Sequence, residues 1–238
     1  MSKVTLTSPN PANSIEELKT PKTIAMIDVL RSVNCRPQSI LVVGCGKGSE
    51  AGIFARAFGT HTIGIDVRDK STFDHAGAAP AVLMQMDARA LAFANEAFDL
   101  IYSFHALEHI PCPEDAVREM SRVLRPGGHF LIGTPNKSRM LGYFAAADPL
   151  SEKVMMNVRD IGMRIRGRWT NEAGAHAGFT THELNNMCRD AFGESRDVSE
   201  EYYSRLYSSK VWLVKQVCRS TLRSVLLPCV YVLGRKLS

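Results

Sequence analysis

Short, nearly continuous apolar runs at even intervals constrain the fold of this chain more than any other feature. They read SILVVG (39–44), HTIGID (61–66), AVLMQMD (81–87), FDLIYS (98–103) and HFLIGTP (129–135). Runs of this length, bounded by glycine, aspartate or proline, are strands covered on both faces. Helix-compatible segments lie between them at Ser49–Phe58, Ala88–Ala94 and Glu114–Leu124. In the last of these, Pro113 suits the first helical position, and Glu114 and Asp115 complement the positive end of the dipole. Ala116, Val117, Met120, Val123 and Leu124 form its apolar face, and Pro126-Gly127-Gly128 ends it. Strands alternating with helices predict an α/β fold, a Rossmann-like doubly wound and mostly parallel sheet with helices on both faces.

After Pro135 the rhythm breaks. Residues 136–178 are rich in Met, Arg and Gly and read as a lid-like insertion, after which a helix resumes at TTHELNNMCRDAF (180–192). SRDVSEEYY (195–203) and SKVWLVKQV (209–217) are expected to pair as an antiparallel C-terminal hairpin at the sheet edge. The organisation expected is therefore an N-terminal lead and helix (1–36, with a helix start at Ser14–Glu17), a catalytic domain (37–215) and a C-terminal tail (216–238).

Bulk properties narrow the function. No positively charged start leads into an apolar run, and the longest apolar stretch, Val225–Leu233, is interrupted by Pro228. A membrane-spanning helix needs about 20 residues, so a cytoplasmic protein is expected. The six cysteines are scattered without a C-x-x-C pair, as in reduced intracellular proteins. The net charge of +5 is local: seven basic and no acidic residues follow Ser204, leaving 22 basic against 24 acidic before it. That distribution argues against a nucleic-acid-binding surface. The tail QVCRSTLRSVLLPCVYVLGRKLS mixes apolar clusters with positive charge only, as would a helix in peripheral contact with an anionic membrane or packed on a partner subunit.

The first strand feeds Gly44-Cys45-Gly46-Lys47-Gly48 and then a helix. Glycines at such a turn let the backbone approach a ligand without Cβ clashes. Asp66 ends the second strand, where a carboxylate can accept both hydroxyls of an adenosine ribose, and Asp87 ends the third at the same sheet edge. The spacing G-x-G-x-G departs from the G-x-G-x-x-G/A of dinucleotide sites and leans away from NAD.

With VVGCGKG, GIDV, MDA, FDLIYSFHALEHI and LRPGGHFLIGTPN in this order, residues 37–136 resemble the class I S-adenosylmethionine-dependent methyltransferases. ALEHIP followed by the proline–glycine turn resembles the branch containing ubiquinone-biosynthesis O-methyltransferases and natural-product and saccharide methyltransferases. The resemblance implies a seven-stranded sheet and S-adenosylmethionine as methyl donor. It places Gly44, Cys45, Gly46 and Gly48 at the methionine and ribose part, Asp66 with Val67 at the ribose, Asp87 with Ala88 at the adenine, and Phe104 beside the methionine part.

HALEH (105–109) also matches, letter for letter, the H-x-x-E-H pattern of inverted zinc proteases. That pattern needs a continuous helix, which Pro111 and Pro113 cut off within a turn. No metal-ligand set is assigned, although a second reading has Glu108 and His109 share a divalent cation that orients acceptor hydroxyls. Methyl transfer is a displacement for which the protein aligns the acceptor and excludes water, and a hydroxyl acceptor also needs a base. His109 is the first candidate for that base and His105 the second. The acceptor is expected to be a small molecule, or glycan- or lipid-linked, with Asn136, Tyr143 and His176 as candidate contacts. Two other readings stay open at this point: an NAD-dependent Rossmann oxidoreductase or epimerase, and a methyltransferase-fold protein that binds without catalysing.

Overall fold

Seven strands, β1 (Ser39–Val43), β2 (His61–Asp66), β3 (Val82–Gln85), β4 (Phe98–Phe104), β5 (Leu124–Pro135), β6 (Gly193–Asp197) and β7 (Cys229–Lys236), form one sheet. Its order is β3-β2-β1-β4-β5-β7-β6. This computed structural model describes residues 21–140 and 150–237; the N-terminal lead, the helix start at Ser14–Glu17 and Tyr143 lie outside the described residues. β1 to β5 are mutually parallel, and only β7 runs against its neighbours, pairing from His129↔Arg235 to Pro135↔Cys229 on β5 and with β6 on its other side.

The helices are α1 (Pro21–Ser32), α2 (Ser49–Phe58), α3 (His75–Ala78), α4 (Pro113–Val123), α5 (Leu150–Ile165), α6 (Thr181–Phe192), α7 (Ser199–Leu206), α8 (Val211–Arg219) and α9 (Arg223–Leu226). Alternation along each strand feeds two cores. Ile40, Val42, Leu100, Tyr102, Leu131 and Tyr231 pack with α1, α2 and α7 on one face. Leu41, Val43, Ile101, Phe130, Ile132 and Val232 pack with α4 and α6 on the other. Both faces are therefore dry, which is why the strand sequences lack polar alternation. α6 opens with a capping box in which Thr180 and Glu183 satisfy each other's backbone N–H groups.

Three local expectations are corrected. Ala88–Ala94 is an irregular segment, because α4 side chains satisfy its backbone: Leu91 N–H donates to Glu119, and Arg122 donates to the carbonyls of Leu91 and Phe93. SKVWLVKQV is mostly α8, not a strand; its apolar Val214, Val217 and Cys218 recur at helical spacing. The strand that pairs with β6 is β7, from within the supposed tail. Residues 229–236 are thus an interior strand between β5 and β6, with Val230, Tyr231, Val232 and Leu233 buried, and not a membrane-lying appendage. Among the described residues, no helix is long and apolar enough to cross a membrane.

Because β7 supplies both β5 and β6 with their hydrogen-bonding neighbour, a chain ended at residue 215 should lose its cooperative thermal unfolding transition. Circular dichroism melts check this; a transition near that of the full chain would show β7 to be dispensable.

Candidate functional site

The C-terminal ends of β1, β2 and β4 converge on one crevice. Gly44 (φ +73°) and Gly46 (φ +57°) both occupy the left-handed region. A Cβ on Gly44 would come within 2.2 Å of Ala106 Cβ, so the glycine loop and the turn after β4 touch there. A Cβ on Gly46 would meet nothing within 4 Å, so this peptide faces open space. The loop is pinned from behind by Gly44 and Cys45 N–H groups donating to Ile65 O at 2.8 and 2.9 Å. Cys45 is buried, which pushes its thiol up to about 12, so it packs as an apolar group.

Asp66 accepts from Gly46 N–H (2.8 Å) through one oxygen and from Arg68 N–H (3.0 Å) through the other. A carboxylate offers about four acceptor positions, so a lone pair on each oxygen is left for a vicinal diol. Val67, next along, is 72% exposed at the same edge. Asp87 accepts from the Arg89 guanidinium at 2.7 Å and from Arg89 N–H at 2.9 Å; these contacts hold its carboxyl below the usual range. Ala88 beside it is buried. An open glycine cradle, an acid with spare lone pairs at the second strand end and an apolar rim fit S-adenosylmethionine. Glu50, on the first turn of α2, escaped the sequence reading. It accepts from Thr23 of α1 and Tyr102 of β4, both at 3.1 Å, and burial raises its pKa against those bonds.

Beyond Phe104 a cavity of about 730 Å³ opens, the size of a site for a small organic molecule. Phe104, His105, Glu108, His109 and His176 form one wall. Most of the remainder is aromatic or aliphatic: Tyr202, Tyr203 and Tyr231, Met156 and Met163 of α5, and Val214 and Val217 of α8. Met156 and Met163 belong to the Met-rich insertion read from the sequence; the tyrosines and valines carried no signal of their own, because they come from segments far apart in the chain.

HALEH is not a helix. His105 takes the left-handed conformation (φ +52°) and Leu107–His109 make a single 3-10 turn. Glu108 turns inward, its side chain 1% exposed. Its Oε1 lies 3.2 Å from His105 Nδ1 and 3.9 Å from His109 Nε2, while Oε2 is buried with no hydrogen-bond partner. His105 Nε2 lies 3.5 Å from Cys229 Sγ. Burial opposes charge on His105, yet the hydrogen bonds to Cys229 and Glu108 outweigh it and push the imidazole up to about 10. These contacts favour the protonated form of His105.

The His109 and His176 rings sit edge-to-face, centroids 4.5 Å apart. Burial and the neighbouring His109 push His176 below the ordinary histidine range. Asn136 is corrected as an acceptor contact. Its amide donates to Ser224 O and Leu227 O at 2.7 Å and its Oδ1 accepts from Ser138 N–H, so it braces the wall from behind. Among the described residues, no three His, Cys, Asp or Glu side chains are grouped to hold a metal ion.

Comparison with known proteins agrees with this geometry. The family described as "Methyltransferase domain" matches residues 41–132. A ubiquinone biosynthesis O-methyltransferase from Alkalilimnicola ehrlichii is 31% identical over 163 residues, 61% of this chain and 65% of that protein. A phosphatidylethanolamine N-methyltransferase from Cereibacter sphaeroides is 35% identical over 107 residues, 42% of this chain and 52% of that protein. The chain spans less than two thirds of the length of these relatives. In fold it is similar to the YcgJ protein of Bacillus subtilis (TM-score 0.55, 17% identity, 90% of this chain and 99% of that one). Fold and crevice define a Rossmann-like donor-binding domain. Residues 41–132 carry a methyltransferase domain, similar to that of S-adenosylmethionine-dependent methyltransferases.

The His105 environment has a pH signature. A group whose pKa is raised on folding adds stability fully below its ordinary value of 6.5 and loses it as pH climbs to about 10. The thermal midpoint of the wild type should therefore exceed that of His105→Gln most at pH 6, with the gap closing toward pH 10. A gap that widens with pH would show that the ring is neutral in the folded state.

Proposed function

We propose that this chain transfers the methyl group of S-adenosylmethionine to a hydroxyl of a small, largely apolar or lipid-linked acceptor. One observation carries the reading: the turn that touches the glycine loop at Ala106 also lines the cavity, so donor crevice and acceptor space adjoin at Phe104–Ala106. The relatives include both O- and N-methyltransferases; the paired histidines favour a hydroxyl, whose proton must be removed as it attacks.

Bound S-adenosylmethionine supplies an electrophilic methyl carbon on a sulfonium. The residues of the chain do the rest. The Gly44–Gly48 backbone and Asp66 hold the methionine and ribose, Asp87 and Ala88 border the adenine, and Phe104 separates the donor from bulk water. His109 takes the acceptor proton at its ring nitrogen. His176, held neutral 4.5 Å away, keeps a second cation from forming beside it. Glu108 sets the turn by accepting from His105 and faces the charge that develops on His109. Tyrosines and aliphatic side chains receive the acceptor body, and Lys22, Arg159 and Lys210 at the lining suit an anionic group on it.

Titration calorimetry tests the donor: S-adenosylhomocysteine should bind and NAD should not, and the reverse result ends the proposal. Asp66→Ala should weaken S-adenosylhomocysteine roughly a hundredfold, the value of two hydrogen bonds to a charged group. His109→Ala should lower kcat roughly a hundredfold on a hydroxyl acceptor while leaving donor affinity unchanged. Full turnover in that variant would remove His109 from the chemistry.

A further inference from the structure

α5 is built inside out. At about 100° per residue, Leu150, Val154, Val158, Ile161 and Ile165 fall within an arc of about 80° on one face, and all five are exposed. Leu150 and Ile165, at the two ends, are 77% and 82% exposed. The opposite face turns inward with polar anchors. Asp160 accepts from Arg139 (3.3 Å), and Met156, Arg159 and Met163 line the cavity. At the helix end Arg164 stacks on Trp169, which itself donates to Lys137 O. Amphipathic helices of soluble proteins bury the apolar stripe; here the anchors hold it toward the outside.

α8 forms another wall of the same cavity through Leu213, Val214 and Val217. Trp212, 73% exposed, projects from it beside Lys215 and Arg219, with Leu222 exposed just beyond. On and just after the two helices, the exposed charges are positive except for Glu152. Arg166 and Arg168 follow α5, Glu152 is the exposed acid on α5, and no acidic residue occurs after Ser204.

We infer that the outer faces of α5 and α8 form a docking surface for an anionic lipid bilayer, bringing the cavity they share to the membrane from which a lipid-soluble acceptor enters. The inference rests on the cavity being the acceptor site, and it names where that acceptor comes from. An apolar stripe flanked by arginines, with an amphipathic tryptophan among cations, is the chemistry of a helix lying in the headgroup region. A second copy meeting these faces symmetrically would need acids of its own there to pair with the arginines and lysines, and the exposed surface of α5 and α8 offers only Glu152.

The test is flotation of the full chain with vesicles of phosphatidylcholine alone or mixed with phosphatidylglycerol, without donor or acceptor. The chain should float with the anionic vesicles only, and added salt should release it. Trp212 emission should shift to the blue, and Trp212→Phe should remove the shift because Trp169 is already buried. Val154→Glu with Val158→Glu, and separately Lys215→Glu with Arg219→Glu, should each lower the bound fraction about tenfold or more. These sites are exposed, so the variants should keep the wild-type melting transition and S-adenosylhomocysteine affinity. Two results overturn the inference: flotation unaffected by either pair, or a dimer in sedimentation velocity that Val154→Glu with Val158→Glu converts to monomer. Calorimetry with S-adenosylhomocysteine needs no vesicles, so loss of the methyltransferase reading and loss of the membrane reading register separately.

Discussion

The close approach of Gly44 to Ala106 organises everything functional in this protein. Two loops from adjacent parallel strands, β1 and β4, meet there with no room for a side chain on the glycine. Their contact lies between the strand-end crevice and the cavity beyond Phe104. Parallel strands make this possible, because both chains emerge at the same sheet edge and each must turn away over its neighbour. Glycine on one side and alanine on the other are what let the two loops approach this closely.

The second constraint is the buried carboxylate of Glu108. A carboxylate withdrawn from water needs charge or hydrogen bonds around it. Here His105 supplies one such bond, and Oε2 has no partner. The turn therefore carries an electrostatic demand that is met best when positive charge lies beside it. His105, at 3.2 Å, is the near partner, and His109 lies 3.9 Å away. The same acid thus lies between the two rings.

The parallel half of the sheet was legible because strands buried on both faces leave unmistakable apolar runs, and because Gly44–Gly48 and Asp66 mark their ends; Pro126–Gly128, read as a stop, lies inside β5. The C-terminal third was not, for physical reasons visible in particular residues. SKVWLVKQV alternates well enough for a strand, yet Val214, Val217 and Cys218 also satisfy a helical face, and tertiary packing on α7 settles the choice. CVYVLGRK looked like a tail because its basic end, Arg235 and Lys236, suggested a surface helix. In the sheet those cations hydrogen-bond the carbonyls of Gly127 and Leu124, across a pairing no local signal announces. The candidate site divides the same way. Gly44–Gly48, Asp66 and Asp87 sit at strand ends and are visible in the spacing, whereas the cavity wall assembles from α5, α7, α8 and β7, and the contact of His105 with Cys229 exists only in the fold.

α5 shows how polar anchoring can orient a helix against its own hydrophobicity. Burying the stripe of Leu150, Val154, Val158, Ile161 and Ile165 would be the favourable choice for an isolated domain in water. That orientation would expose Met156 and Met163 instead and separate Asp160 from Arg139, leaving ionised groups of the 136–140 segment in an apolar interior. The ion pair and the Arg164–Trp169 stack hold the helix as it stands, so its inner face can shape an acceptor cavity while its outer face stays apolar. Such a helix contributes to stability through its polar side and to recognition through its apolar side, the reverse of the usual division. A wall built this way keeps the cavity beside an apolar surface, which is where an acceptor poorly soluble in water is most concentrated.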